Sequence, residues 1–504
     1  MFKDDKQVSF TTAEPLDSSP ANSSPATAHP DERGHKESHL RTIGGGDGRR
    51  SAGPMDKLDR YLSTKPIVAF GLTLQASWEA LAISFQSTMY NGGPSTLLYG
   101  SILSGFASAS MAATLAEMAS MKPAVGAQYQ WSAMLAPRGT NPLFLGYMQG
   151  WLTTFAWNAA CALNPFLMGS MIQGCIILCN ETYVPAGWHT TLLAYASMAL
   201  PILCNIYARK IIAPLEIAAA VMHVLLLIAF VVVLTVMARR STPDFVFQTS
   251  FFGLSGWENE GIQWSVGLLA VIFPLAAYDS MLHMADEVKD APRRVPKAMV
   301  WANIFSAIVM FAFVIVLLFC LGDVDRVTTT PTGFPIIETL YQATGSKGAT
   351  VFMIMGIYFI IAASQFNILA SVSRLAWAFA KDGGLPFSST FAVVHPTLRI
   401  PVNAVLLTST ICLLINIIPV GSTTAFYALT SLSTLALYFS YCVPATLILM
   451  RKLQGTFPPY GPWKIPGPYW VGVAINIFAF AWGWYCVFSL CLPTFMPVTA
   501  ATSK

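Results

Sequence analysis

The chain is predicted to be an all-α polytopic membrane protein with about eleven transmembrane helices, and three observations carry that prediction. Of its 504 residues, 54% are hydrophobic and only 11% are charged, whereas a soluble globular chain carries roughly 25% charged residues. Apolar runs long enough to cross a bilayer recur along the chain, and the mean hydropathy is +0.56. Lys and Arg gather in alternate loops, as the positive-inside rule requires of a chain that weaves through a membrane.

Residues 1–60 are rich in Ser, Pro, Asp, Lys and Gly, lack aliphatic clusters, and predict a disordered cytoplasmic tail. No apolar h-region lies near the start, so the first membrane helix is expected to direct insertion itself. A transmembrane domain over 61–496 follows, with a short C-terminal tail at 497–504. Its first segment runs from about 66 to 90 and ends at Asn91-Gly92-Gly93-Pro94; the second, 95–118, ends in Glu117 and Lys122-Pro123. The charge-free stretch 139–180 reads as one long tilted crossing with Pro142 near its start. Length, flanking charge and breakers place the others near 189–208, 211–237, 262–283, 298–321, 349–379, 401–420, 424–449 and 469–492.

With the N-terminus inside, the cytoplasmic loops carry 13 Lys and Arg residues against 4 outside, with Arg239-Arg240 as the local exception. Asn180-Glu181-Thr182 is then a sequon on the lumenal or extracellular side, and Asn180 a candidate glycosylation site. An odd number of crossings puts the C-terminus outside. The nine cysteines mostly fall inside apolar runs without close His or Asp companions and read as small buried hydrophobes, so no metal site is expected. A formal charge of +4 gives no reason to expect a nucleic acid partner.

Two segments depart from the pattern of a simple anchor. The sixth is broken by Phe273-Pro274 and carries Ala276-Ala277-Tyr278, Asp279 and His283 before Asp286-Glu287. The first carries Gln75, Ser77, Trp78 and Glu79 near its middle. Interruptions and ionisable groups at membrane depth are expensive unless they face a cavity or a partner. Paired interruptions in corresponding helices of two halves point to an inverted-repeat transporter with its site at the midplane. Where a helix unwinds, its free amides receive a carboxylate and its free carbonyls an ammonium group, which suits a zwitterion. Uphill transport needs a coupled ion, and a proton is the economical one given the membrane carboxylates and histidine.

The candidate substrate-binding residues are therefore Gln75, Ser77, Trp78, Glu79, Ala277, Tyr278, Asp279 and, on the eighth segment, Asn367. Glu79 reads as a substrate-amine or proton contact, or as a structural hydrogen-bonded carboxyl. Trp78 and Tyr278 offer cation-π faces. His283, Asp286 and Glu287, with Arg374 across from them, read as gating or coupling groups or as a plain interface cluster that closes the inner side. Asn367 and Ser371 share a helical face and read as transport-path or ordinary interhelical polar groups. No nucleophile, base and orienting group occur together, so neither an enzyme nor a cofactor is expected.

Glu117-Met118-Ala119-Ser120 with Pro123, Gly126, Gln128-Tyr129 and Trp131 carries a family resemblance, as do His283-Met284-Ala285-Asp286-Glu287 and the run from Ser373 to Pro386. With Gly421-Ser422 through Ser440-Tyr441, these motifs resemble fungal members of the amino acid-polyamine-organocation (APC) superfamily, in its amino acid/choline transporter branch, over about 60–496. The resemblance implies two inverted five-helix repeats of the LeuT-like fold, with the first and sixth helices unwound around the substrate and extra C-terminal helices. It also implies a solute drawn from 4-aminobutyrate, choline, other amino acids or polyamines, and a plasma or internal membrane of a fungus. The family's twelfth helix has no counterpart here, its Gly-rich turn in the sixth helix is Ala276-Ala277-Tyr278, and its Glu-Glu is Asp286-Glu287. The expected function is a proton-coupled permease for an amino acid or 4-aminobutyrate. A choline or polyamine carrier and a transport-inactive nutrient sensor are the alternatives.

Overall fold

The computed structural model describes residues 60, 62–251 and 254–497. The tail predicted over 1–60 lies outside the described residues apart from Arg60, and the C-terminal tail apart from Pro497. Eleven helices among the described residues are long and apolar enough to cross a membrane. In chain order they are α1 (Thr64–Ser84), α2 (Gly93–Met121), α3 (Pro142–Cys179), α4 (Gly187–Tyr207), α5 (Lys210–Met237) and α6 (Glu260–Glu287). They continue with α7 (Ala291–Phe319), α8 (Lys347–Lys381), α9 (Val402–Gly421), α10 (Ser431–Leu453) and α11 (Tyr469–Leu490). The chain is thus an all-α, multi-pass membrane protein, with each predicted segment represented once.

The charge-free stretch forms one helix, as its composition predicts. Asn141 caps α3 by accepting hydrogen bonds from the Leu143 and Phe144 amides, and Pro142 occupies the first turn, where its missing N–H costs nothing. At 38 residues and 1.5 Å per residue the helix is roughly 57 Å long against a hydrocarbon core of about 30 Å, so it projects well beyond the core or tilts.

Two of the boundaries that differ from the hydropathy reading have a local cause. The first crossing ends at Ser84, and a separate short helix, Gln86–Tyr90, follows. The seventh starts at Ala291 instead of 298, because Pro292 suits a first helical turn and Arg293, Arg294 and Lys297 are carried on the helix rather than in a loop.

Where α1 begins and α6 ends, two backbone hydrogen bonds join them: Leu62 N–H donates to Glu287 O and Lys289 N–H to Leu62 O, both at 3.0 Å. Gly71 allows the two to approach, since a Cβ there would sit 2.7 Å from the Met281 methyl. These contacts hold the first and sixth helices side by side, so their interruptions meet.

Candidate functional site

Both interruptions are built around an alanine in the left-handed region. α1 changes course at Ala76 (φ 40°, ψ 51°), between Thr64–Gln75 and Ser77–Ser84. α6 runs through a tight turn at Phe273–Leu275, an extended Ala276 and Ala277 at φ 66°, and resumes as a 3-10 helix, Ser280–Glu287. For an L-residue with a Cβ this conformation costs roughly 1–2 kcal/mol. Carbonyls released by the α6 break are taken up by neighbouring amide side chains. Gln75 Nε2 donates to Ala276 O (3.1 Å) and Asn303 Nδ2 to Leu275 O (3.2 Å). The Ser306 hydroxyl donates to Gln75 Oε1 at 2.9 Å and fixes which way that amide faces.

Beside the breaks lies a cleft enclosing about 820 Å³ with its open mouth included. Gln75, Ala76, Ala276 and Ala277 form one side, and α3, α8 and α10 supply the others. Its polar lining comprises Gln75, Asn164, Ser364, Ser433, Thr434 and the Trp157 indole; no Asp, Glu, Lys, Arg or His is among the described residues that line it. The rest is aliphatic or aromatic, including Leu74, Ile83, Leu163, Leu167, Phe273 and Ile361.

Trp157 joins this cleft to a buried polar knot. Its Nε1 donates to Asp279 Oδ2 at 3.1 Å, and the same oxygen accepts from Gln128 Nε2. Asp279 Oδ1 accepts from the Tyr441 hydroxyl at 2.5 Å. His283 Nε2 stands 3.8 Å from Asp279, and its Nδ1 bonds the Ser371 hydroxyl at 2.8 Å. Tyr278 packs against Tyr441 with ring centroids 4.8 Å apart, away from the cleft lining. α3, α10 and the short helix Ala127–Met134 thus converge on one carboxyl of α6.

Farther along α6, Glu287 and Arg374 form a fully buried ion pair, Nε to Oε1, at 2.9 Å. Asp286 is half-buried, with Lys381 and Arg60 as its cationic neighbours. Asp382 accepts from the Tyr129 hydroxyl (2.7 Å) and Gln130 Nε2 (3.0 Å). Burial, reinforced by the Asp382 carboxylate, pushes the Tyr129 hydroxyl well above its ordinary pKa. Burial holds the Lys122 ammonium below its ordinary value, with Asp382 opposing.

A separate set of polar contacts runs along α5. Glu216 Oε2 accepts from the Thr73 hydroxyl and from Asn367 Nδ2, each at 2.5 Å, so one carboxyl ties α1 and α8 to α5. Two turns later His223 Nδ1 meets Glu79 Oε1 at 2.8 Å, with both side chains fully buried. Trp78 Nε1 donates to His223 O at 3.2 Å, its ring wedged between Phe230 and Phe313. Ser77 donates to Ser306 O at 3.0 Å.

Of the predicted site residues, Gln75 and Ala277 line the cleft, and Asp279 and His283 lie behind its Trp157 wall. Ser77, Trp78, Glu79 and Asn367 face protein partners. Glu287 and Arg374 pair with each other, and Asn180 is exposed just beyond α3, its Oδ1 accepting from the Thr182 hydroxyl at 2.7 Å. Sequence reasoning passed over Trp157, Glu216 and His223. A signal existed for the last two: an acid and a histidine seven residues apart, on one helical face, in the most apolar crossing of the chain.

Comparison with known proteins matches the profile described as amino acid permease over residues 66–503. A Macrophomina phaseolina protein that carries the provisional name amino acid/polyamine transporter is 29% identical over 86% of this chain and 95% of its own length. The choline transporter of Saccharomyces cerevisiae is 28% identical, over 88% and 77% respectively. The GABA-specific permease of the same yeast is 26% identical, over 84% and 76%.

Proposed function

This chain belongs to the amino acid permease family, and from that premise we propose that it is a proton-driven permease carrying one zwitterionic amino acid at a time, 4-aminobutyrate included, through the cleft between its helix breaks. Membership makes it a secondary transporter of small amine-bearing solutes and not an enzyme. The observation that carries the finer reading is a cleft beside two backbone breaks with no ionisable side chain among the described residues of its lining. A solute there must have its charges met by backbone dipoles. The amides that open Ser77–Ser84 lack a side-chain cap and suit a carboxylate, and an ammonium group is left the second lone pairs of the Leu275 and Ala276 carbonyls, whose first go to Asn303 and Gln75. The aliphatic wall favours an apolar amino acid side chain.

A polyamine fits this lining poorly. It needs separated carboxylates, and Glu79 and Asp279 are both turned into protein partners. Choline is the second reading, because Trp157 and Phe273 offer aromatic faces to a quaternary ammonium. In this proposal α1–α5 and α6–α10 are the two inverted repeats, Glu287–Arg374 closes the cytoplasmic side, Asn180 faces outward, and the protein works in the plasma membrane.

The test is uptake of radiolabelled amino acids, 4-aminobutyrate, choline and spermidine by cells lacking their own permeases, with and without a proton uncoupler. Saturable, uncoupler-sensitive uptake of apolar amino acids is expected. Preference for choline selects the second reading, and no saturable uptake despite surface delivery overturns transport in favour of a sensor.

A further inference from the structure

The half-helix Ser77–Ser84 belongs to two sites at once. Ala80 and Ile83 line the cleft, while Glu79 on the same eight residues meets His223 outside it. We propose that Glu79 and His223 form a proton-binding site, apart from the solute cleft, whose occupancy is tied to the position of this half-helix. The proposal rests on the reading of the chain as a proton-driven permease and names the groups that carry the proton.

Glu79 Oε2 and His223 Nε2 are buried without a hydrogen-bond partner, so each side chain spends one heteroatom on the other and keeps one in reserve. With one titratable proton between them the pair is neutral overall, whether drawn as acid and imidazole or as carboxylate and imidazolium. Removing that proton leaves one uncompensated negative charge, and adding a second leaves one positive charge. Either is costly where both side chains are fully buried and the Trp78 ring stands 6.2 Å from the His223 ring, centroid to centroid. The packed half-helix therefore selects the one-proton form, and exchange requires water to reach Oε2 or Nε2. Closing the cleft over a solute and drying the pair are displacements of one element, pivoting at Ala76. That supplies the shared two-state element which coupling between two sites needs.

Charged groups on the elements packed around the pair have partners of their own. Glu216, on α5 itself, is held by Thr73 and Asn367. The short helix Pro335–Thr344 adds Tyr341 and Glu338, the latter held by Arg326 (2.8 Å) and Gln342 (2.9 Å). α8 contributes Tyr358, bonded to Ser197, and Arg374, paired with Glu287. α4 brings His189, bonded to Tyr183, and Tyr195, bonded to Leu413 O. α7 has no ionisable side chain after Lys297.

The experiment uses the full chain in liposomes, with a radiolabelled amino acid that the wild type exchanges in counterflow. Under an imposed pH gradient, acid outside, the wild type is expected to accumulate it. His223→Gln and Glu79→Gln each lose that gradient-driven accumulation by at least about tenfold, in the range of ordinary coupling between sites, and His223→Gln retains counterflow. Accumulation that still follows the gradient in either variant overturns the pair as the proton site. Wild-type counterflow without any gradient response sinks the proton-driven reading along with the pair, whereas absence of wild-type counterflow sinks the permease reading. A second measurement needs no variant: solute added to wild type in weakly buffered medium is expected to draw about one proton per chain onto the protein, as closure selects the one-proton form. No proton uptake overturns the proposal.

Discussion

Arg374 donates its Nε to Glu287 Oε1 across 2.9 Å, and neither side chain reaches solvent. Removing one partner strands the other charge in a dry site, at a cost of about 3–5 kcal/mol, whereas removing both with similar volume is far milder. Arg374→Met and Glu287→Gln are each expected to lower the thermal midpoint of the purified protein sharply, and the double variant to recover most of it. A loss in the double variant equal to the sum of the two single losses would mean the pair contributes nothing as a pair.

Ala277 sits at φ 66° in the turn where the sixth helix is interrupted. Glycine accepts that conformation without the Cβ clash, although it adds freedom to the unfolded chain, so Ala277→Gly is expected to gain up to about 1 kcal/mol. Ala277→Val, β-branched at a positive φ, is expected to lose stability and to narrow the cleft that Ala277 lines. Thermal melts and solute KM for the two variants provide the check: both should move in opposite directions.

Much of this architecture was legible in the sequence because hydropathy, breakers and loop charge act locally. All eleven crossings and the single long α3 follow from such signals, and the interruptions near Gln75 and Pro274 announced themselves as polar or breaking residues in apolar runs. Side-chain direction was not legible. Glu79 and Gln75 lie four residues apart, yet one turns to His223 and the other stitches the α6 break, because the left-handed Ala76 resets the helical phase between them. The knot around Asp279 draws donors from positions 128, 157 and 441, and no local pattern joins residues so distant in the chain.

Trp157 is the wall between the cleft and Asp279, and its indole N–H is one of the donors on that carboxyl. Trp157→Phe keeps an aromatic ring and deletes the donor, which costs about 1–3 kcal/mol where a buried acceptor loses a partner. If the wall closes the inner side, that loss biases the protein toward inner opening. Cysteine probes placed on the inner half of α6 are expected to label faster in Trp157→Phe than in an otherwise identical background. Unchanged labelling with reduced stability would leave Trp157 a packing residue.

Glu117 stands in one of the motifs that carry the family resemblance, but its surroundings give it a structural task. Its Oε2 accepts from Lys452 Nζ at 2.5 Å, and its Oε1 from the Ile465 amide at 3.3 Å. The same ammonium donates to Asn476 Oδ1 at 2.7 Å and lies over the Phe457 and Tyr460 rings, 5.2 and 5.4 Å from their centroids. Burial, with Glu117 adding to it, pushes the Tyr460 hydroxyl up to about 12, so that ring stays neutral beside the cation. α2, α10, α11 and the loop between the last two are therefore fastened at one point, by residues that do not line the cleft. Lys452→Met is expected to cost about 3–5 kcal/mol by stranding Glu117, and Glu117→Gln with Lys452→Met to restore much of it. Because no lining residue of the cleft is touched, the protein that the double variant does deliver to the surface should keep the wild-type KM for its solute. A changed KM would tie this fastening to the transport cycle.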